Sequence, residues 1–176
     1  IRINEKVNIG YFLMICLIAF LFKVIENPIV NINSILEHKR IIIPDNTDDK
    51  YDVFPFILSF FNVVLLTSLS EEFLFRKLIL SFFNKKNIFI GCIFSSILFS
   101  AYHFSFENIT STKPLIIFFL GLILSLIFVK YGLFYSILLH SCYNFLWLLI
   151  DINKMGYAKL LNNLNFSYSY WCIIGL

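Results

Sequence analysis

Apolar and polar positions fall in long blocks along this chain rather than in short alternations. Five apolar blocks approach or reach the roughly 20 helical residues that cross a hydrocarbon core of about 30 Å. The first runs from about Ile9 to Ile25, behind Arg2 and Lys6. No small-residue cleavage site follows Phe22-Lys23, so it reads as a retained helix and not a secretory signal. Residues 26–52 make the one long polar connection, with Pro28, Pro44 and the turn cluster Asp45-Asn46-Thr47-Asp48-Asp49-Lys50. Asp52 suits an N-cap and Pro55 the first turn of a second helix reaching about Phe83. The charged turn Asn84-Lys85-Lys86-Asn87 leads into a third helix over about Ile88 to His103. Beyond a polar loop over 104–113, Pro114 opens a fourth helix ending near Lys130-Tyr131-Gly132, and a fifth runs from Leu133 to Ile150. Residues 151–165 are polar, and Phe166 to Leu176 begins another apolar run too short to span.

Backbone polar groups find no water in lipid, so spanning blocks of this kind must satisfy themselves as helices. The expected fold is therefore all-α: a polytopic transmembrane helical bundle with at least five spans and a partial sixth. Residues 1–176 read as one membrane-embedded domain, with a core over 53–150. Composition agrees, since 59% of the 176 residues are hydrophobic and only 14% charged, against roughly 25% charged in soluble domains. The formal charge of +3 is small and no arginine-rich patch interleaves with aromatics. The bilayer is thus an expected partner and nucleic acid is not. The chain starts with Ile and stops within an apolar run, which reads as a piece of a longer protein. Lysines and arginines divide between the two ends of the alternating spans, so the positive-inside rule gives no orientation. Cys16, Cys92, Cys142 and Cys172 stand apart in apolar runs without a CxxC spacing and read as small core residues.

Against this background the adjacent acids Glu71-Glu72, with Arg76 close behind, stand out as the only carboxylates between Val53 and His103. An ionisable group at membrane depth costs a few kcal/mol or more, which marks a functional site. Two further polar pairs follow at helical spacing, Phe99 with His103 and His140 with Asn144. At 1.5 Å per residue, Glu71 lies roughly 18 Å from the turn at 84–87, and His103 roughly 22 Å from it. His140 and Asn144 lie roughly 12 and 18 Å below the turn near Gly132, on the same face. All four groups share one layer.

At 100° per residue Arg76 lies about 40° from Glu72 around the helix but about 140° from Glu71. Glu72 and Arg76 thus form the favourable i,i+4 ion pair, and Glu71 is left for chemistry. A desolvated carboxylate beside a histidine can take a proton from water, and a histidine with an amide can donate to an oxyanion. A peptidase of this kind needs no serine or cysteine nucleophile, and no cofactor is firmly expected. Alternatively Zn²⁺ could take Glu71, His103 and His140, since two histidines and a carboxylate form a known catalytic shell, although no helical HExxH is present. Blander readings are a snorkelling charged helix end, an interhelical hydrogen-bond pair at His140 and Asn144, or a proton relay.

Glu71-Glu72-Phe-Leu-Phe-Arg76, Phe99-Ser-Ala-Tyr-His103 and His140-Ser-Cys-Tyr-Asn144 resemble the EExxxR, FxxxH and HxxxN/D motifs of the CPBP family. These are the CAAX-protease and bacteriocin-processing membrane proteins, often labelled Abi. The three motifs are intact, in the family's order, on three separate helices, and the resemblance covers roughly Val53 to Ile150. It implies an intramembrane endopeptidase acting on a peptide or membrane-protein substrate in the cell membrane. It further implies that Glu71 activates water together with His103 and that His140 and Asn144 stabilise the oxyanion, while the angular positions make Glu72 and Arg76 structural support and put Phe99 beside the site on the face of His103. The family is commonly called metalloprotease, and a glutamate-dependent mechanism is the reading preferred for these residues. The alternative function is a non-enzymatic bacteriocin immunity or scaffold protein that retains the same residues.

Overall fold

The computed structural model describes residues 8–38, 53–104 and 112–152, and every regular element among them is helical. The first helix is Ile9–His38, and the second is a continuous helical rod over residues 53–82. Ile88–Tyr102, Lys113–Tyr131 and Leu133–Ile152 are the third, fourth and fifth. The protein is an all-α membrane bundle, as its apolar blocks require. The third helix packs on the fourth, the first on the fifth, and the second against both the third and the fifth.

The helices differ in length, and one expected boundary needs correction. Among the described residues, three helical stretches, Ile9–Asn27, Phe56–Phe82 and Lys113–Tyr131, are long and apolar enough to cross a membrane, and Ile88–Tyr102 and Leu133–Leu149 are shorter apolar stretches. The third helix has 15 residues, a rise of about 22 Å, and the fifth has 20. The third stops where His103 takes over as its C-cap. Non-helical backbone at that depth is tolerated where it lines a cavity. The correction concerns the first helix, which continues through Pro28 to His38 instead of ending near Ile25. Lys23 and Glu26, near the expected end, both face Tyr143 of the fifth helix. Lys23 Nζ lies 3.1 Å from Glu26 Oε2, and Tyr143 Oη donates to Glu26 Oε1 at 3.1 Å. The remaining polar connection, the Asp52 cap and the apolar run at 166–176 lie outside the described residues.

The other boundaries follow local chemistry. Pro114 sits in the first turn of the fourth helix, where its missing N–H costs nothing. Gly132 adopts φ 92° between the fourth and fifth helices, and its N–H closes onto Phe128 O at 2.9 Å. Only glycine enters that region without strain.

The second helix changes its winding around the acidic pair. Phe60–Thr67 and Phe73–Ile79 are π-helical, with the α-helical turn Ser68–Glu72 between them. Such widened turns gather at functional sites, because altered winding presents backbone carbonyls to side chains of other helices. Val63 O accepts from Asn144 Nδ2 at 3.0 Å, and Phe75 O accepts from Ser95 Oγ at 2.8 Å. Both carbonyls lie in the π-helical stretches, and the donors come from the fifth and third helices.

Apolar packing between the helices centres on Phe75, Phe99, Leu120, Leu124 and Leu139. Large apolar side chains such as Leu17, Phe61, Phe94 and Leu126 point outward, where lipid would meet them. Gly121 sets the crossing of the third and fourth helices, because a Cβ there would lie 3.2 Å from Ser96 Cα and from the Phe99 ring.

Candidate active site

Glu72 and Arg76 come from one face of the second helix and are wholly removed from the surface. Arg76 Nε stands 3.4 Å from Glu72 Oε2, the expected i,i+4 ion pair. Ser136 Oγ also donates to Glu72 Oε2, and His140 Nδ1 meets Glu72 Oε1 at 3.0 Å. The guanidinium lies over the Phe99 ring at 4.6 Å, and Nη2 donates to Gly121 O at 3.4 Å. Nε and Nη1 have no hydrogen-bond partner. The attraction between Glu72 and Arg76 is therefore mainly one of charge, reinforced by ring faces, and not a bidentate hydrogen bond.

Glu71 has different neighbours. Its Oε2 lies 3.6 Å from His103 Nε2 and 3.8 Å from His140 Nε2, and it is buried without a hydrogen-bond partner. The two imidazoles are fixed from behind. His103 Nδ1 meets Phe99 O at 2.9 Å, and a carbonyl can only accept, so Nδ1 carries the proton. His140 Nδ1 faces the Glu72 carboxylate and carries its proton for the same reason when Glu72 is ionised. In both neutral rings Nε2 is then a lone pair aimed toward Glu71. The separations exceed direct hydrogen bonds and suit a bridging water.

These groups open onto a cavity of about 300 Å³ whose walls include Glu71, His103, His140 and Asn144. Val63, Thr67 and Glu71 line it from the second helix, where the π-helical stretch runs into the acidic turn. The remaining wall is mostly apolar, with Ile116, Leu120 and Trp147 among its residues. Phe99 is buried between the two acidic environments. Its ring lies 4.7 Å from His103 and 5.7 Å from His140.

Asn144 reaches the cavity, but its amide nitrogen donates to Val63 O and to Ser68 Oγ, each at 3.0 Å. Both N–H groups are thus occupied. Sequence reasoning did not find Ser136, Ser68, or the Lys23–Glu26–Tyr143 cluster, of which Glu26 and Tyr143 also line the cavity. The small serines in apolar helices carry no local signal of their acceptors. Buried charge near the end of the first apolar block was the only available clue to Lys23 and Glu26.

The donor types of Glu71, His103 and His140 are those zinc accepts. Among the described residues, however, no group of three or more His, Cys, Asp or Glu is placed to hold a metal ion.

No curated protein and no solved structure matches the chain. The family described as type II CAAX prenyl endopeptidase, Rce1-like, matches residues 53–146. That segment holds all three motifs and every side chain of the Glu71 layer, and the bundle around it is that of an integral membrane protein. The chain belongs to the Rce1-like family of type II CAAX prenyl endopeptidases.

Proposed function

We propose that this protein is an intramembrane endopeptidase in which Glu71 is the general base for a water held between its Oε2 and the Nε2 atoms of His103 and His140. The observation that carries this reading is the unpartnered Glu71 Oε2, 3.6 and 3.8 Å from two imidazole nitrogens at the wall of a cavity. The water donates one hydrogen to Glu71 and the other to the Nε2 lone pair of His103. Glu71 takes the first proton as oxygen attacks the scissile carbonyl carbon, then returns it to the leaving amine.

The oxyanion is met by donors from the fifth helix. His140 donates through Nε2 in its doubly protonated form, whose Nδ1–H stays on the Glu72 carboxylate. Asn144 contributes by exchanging its bond to Ser68 Oγ for the substrate oxygen, since a hydroxyl can rotate and pair again. The apolar cavity wall favours a peptide delivered from the bilayer of the cell membrane. By the family description, that peptide carries a prenyl chain beside the scissile bond.

The test compares new peptide termini in membranes containing wild type or Glu71→Gln at matched protein levels, with a prenylated CAAX peptide and its unprenylated counterpart supplied. Termini formed only by wild type support the general-base role. Equal cleavage by both enzymes removes it. Silence from both folded proteins on every peptide favours the immunity or scaffold role. Activity should persist in a zinc chelator; loss restored by Zn²⁺ would turn Glu71, His103 and His140 into ligands.

A further inference from the structure

Cys16 and Cys142 are separated by 126 positions, yet their Sγ atoms are 3.6 Å apart where the first and fifth helices pack. Both are free thiols of intermediate exposure, whereas Cys92 is buried. Cys142 packs against the cluster that holds fully buried Ile15, Ala19 and Leu139. A thiol–thiol contact needs only about 1.5 Å of further approach to reach the disulfide length of about 2.05 Å.

We propose that Cys16 and Cys142 form a covalent modification site, a dithiol that a disulfide oxidant closes into a cross-link between the first and fifth helices. One thiolate attacks the oxidant's S–S bond, forming a mixed disulfide and releasing one thiol. The second thiolate attacks the protein sulfur of that mixed disulfide, forming the Cys16–Cys142 bond and releasing the other thiol. The protein loses two electrons and two protons, and one oxidant molecule becomes two thiols.

The position gives the bond a consequence. Cys142 lies two residues after His140 and two before Asn144, about 200° around the helix from each. The cross-link therefore holds the catalytic turn from its reverse side without entering the cavity. It also fixes the first helix, which lies outside the family-matched residues 53–146 and supplies Glu26 to the cavity wall.

Full-length protein in membranes would be treated with dithiodipyridine, an apolar aromatic disulfide, and mapped by peptide mass spectrometry. A linked peptide pair containing Cys16 and Cys142 should form at least about tenfold faster than Cys92 reacts, because access controls thiol exchange. Dithiothreitol should split the pair, and Cys16→Ser or Cys142→Ser should abolish it. The linked protein should unfold at a higher temperature until reduced. Persistent mixed disulfides on both residues, preferential linkage of either to Cys92 or Cys172, or no reaction at Cys16 and Cys142 would each overturn the assignment. None of these readouts depends on peptidase activity.

Discussion

Glu71 and Glu72 are neighbours in the chain and opposites in their surroundings. Both Glu72 oxygens are engaged, by Arg76, Ser136 and His140. Glu71 Oε2 has no hydrogen-bond partner and faces a cavity. In a low-dielectric interior a carboxylate surrounded by a cation and donors becomes structure, while one short of donors is left with a use for water. One residue of helical rotation separates these outcomes. His140 bridges them, with Nδ1 committed to Glu72 and Nε2 turned to Glu71.

The most damaging change to the Glu72 side should be Arg76→Ala. It leaves a buried carboxylate without its cation, at about 3–5 kcal/mol for one broken buried pair. Folded yield in membranes and thermal aggregation would both record it. Full stability with loss of activity would mean that the division between the two acids is drawn wrongly. On the other side, Glu71→Gln should lower cleavage about 10²–10⁴-fold, the ordinary contribution of a general base, with folded yield unchanged. A collapse in yield would place Glu71 with Glu72 as structure.

Smaller still is Ser136→Ala. Removing one hydrogen bond to a charged group costs about 1.5–3 kcal/mol, and Arg76 and His140 remain to hold Glu72. Thermal unfolding should shift while substrate affinity stays unchanged. If KM moves instead, Ser136 has a role in the cavity and not only beneath Glu72.

This contrast was partly legible in the sequence. The i,i+4 spacing of Glu72 and Arg76 anticipated their pairing, and simple rise arithmetic brought Glu71, His103 and His140 into one layer. Pro114, Gly132 and the charged turn at 84–87 marked helix limits because each acts on its own backbone. What escaped notice depends on partners far along the chain. Ser136 meets Glu72 across 64 positions, and Tyr143 meets Glu26 across 117. The polar end of the first apolar block looked like a loop because its partner on the fifth helix was invisible. The π-helical winding also left no mark, since a helix with lipid on one side and apolar core on the other shows little periodicity. Asn144 was expected to face the cavity beside His140, and it does reach the wall, but the widened turn supplying Val63 O holds its amide.

The finest test of the comparison is Gly121→Ala, because Phe99 separates the two acidic environments. An added Cβ would come within 3.2 Å of Phe99 Cδ1 and Ser96 Cα. The Ser96 contact is backbone and yields only if the helices part slightly, while the Phe99 ring can turn away from the new methyl group. Phe99 already lies under Arg76 and packs against both His103 and His140. Overpacking of this size should cost about 1 kcal/mol and lower the cleavage rate modestly, with the cleavage site unchanged. A stability loss without any change in rate would show that Phe99 supports only the Glu72 side. A rate loss without destabilisation would assign it to the Glu71 side, where the imidazole of His103 depends on the Phe99 carbonyl for its orientation.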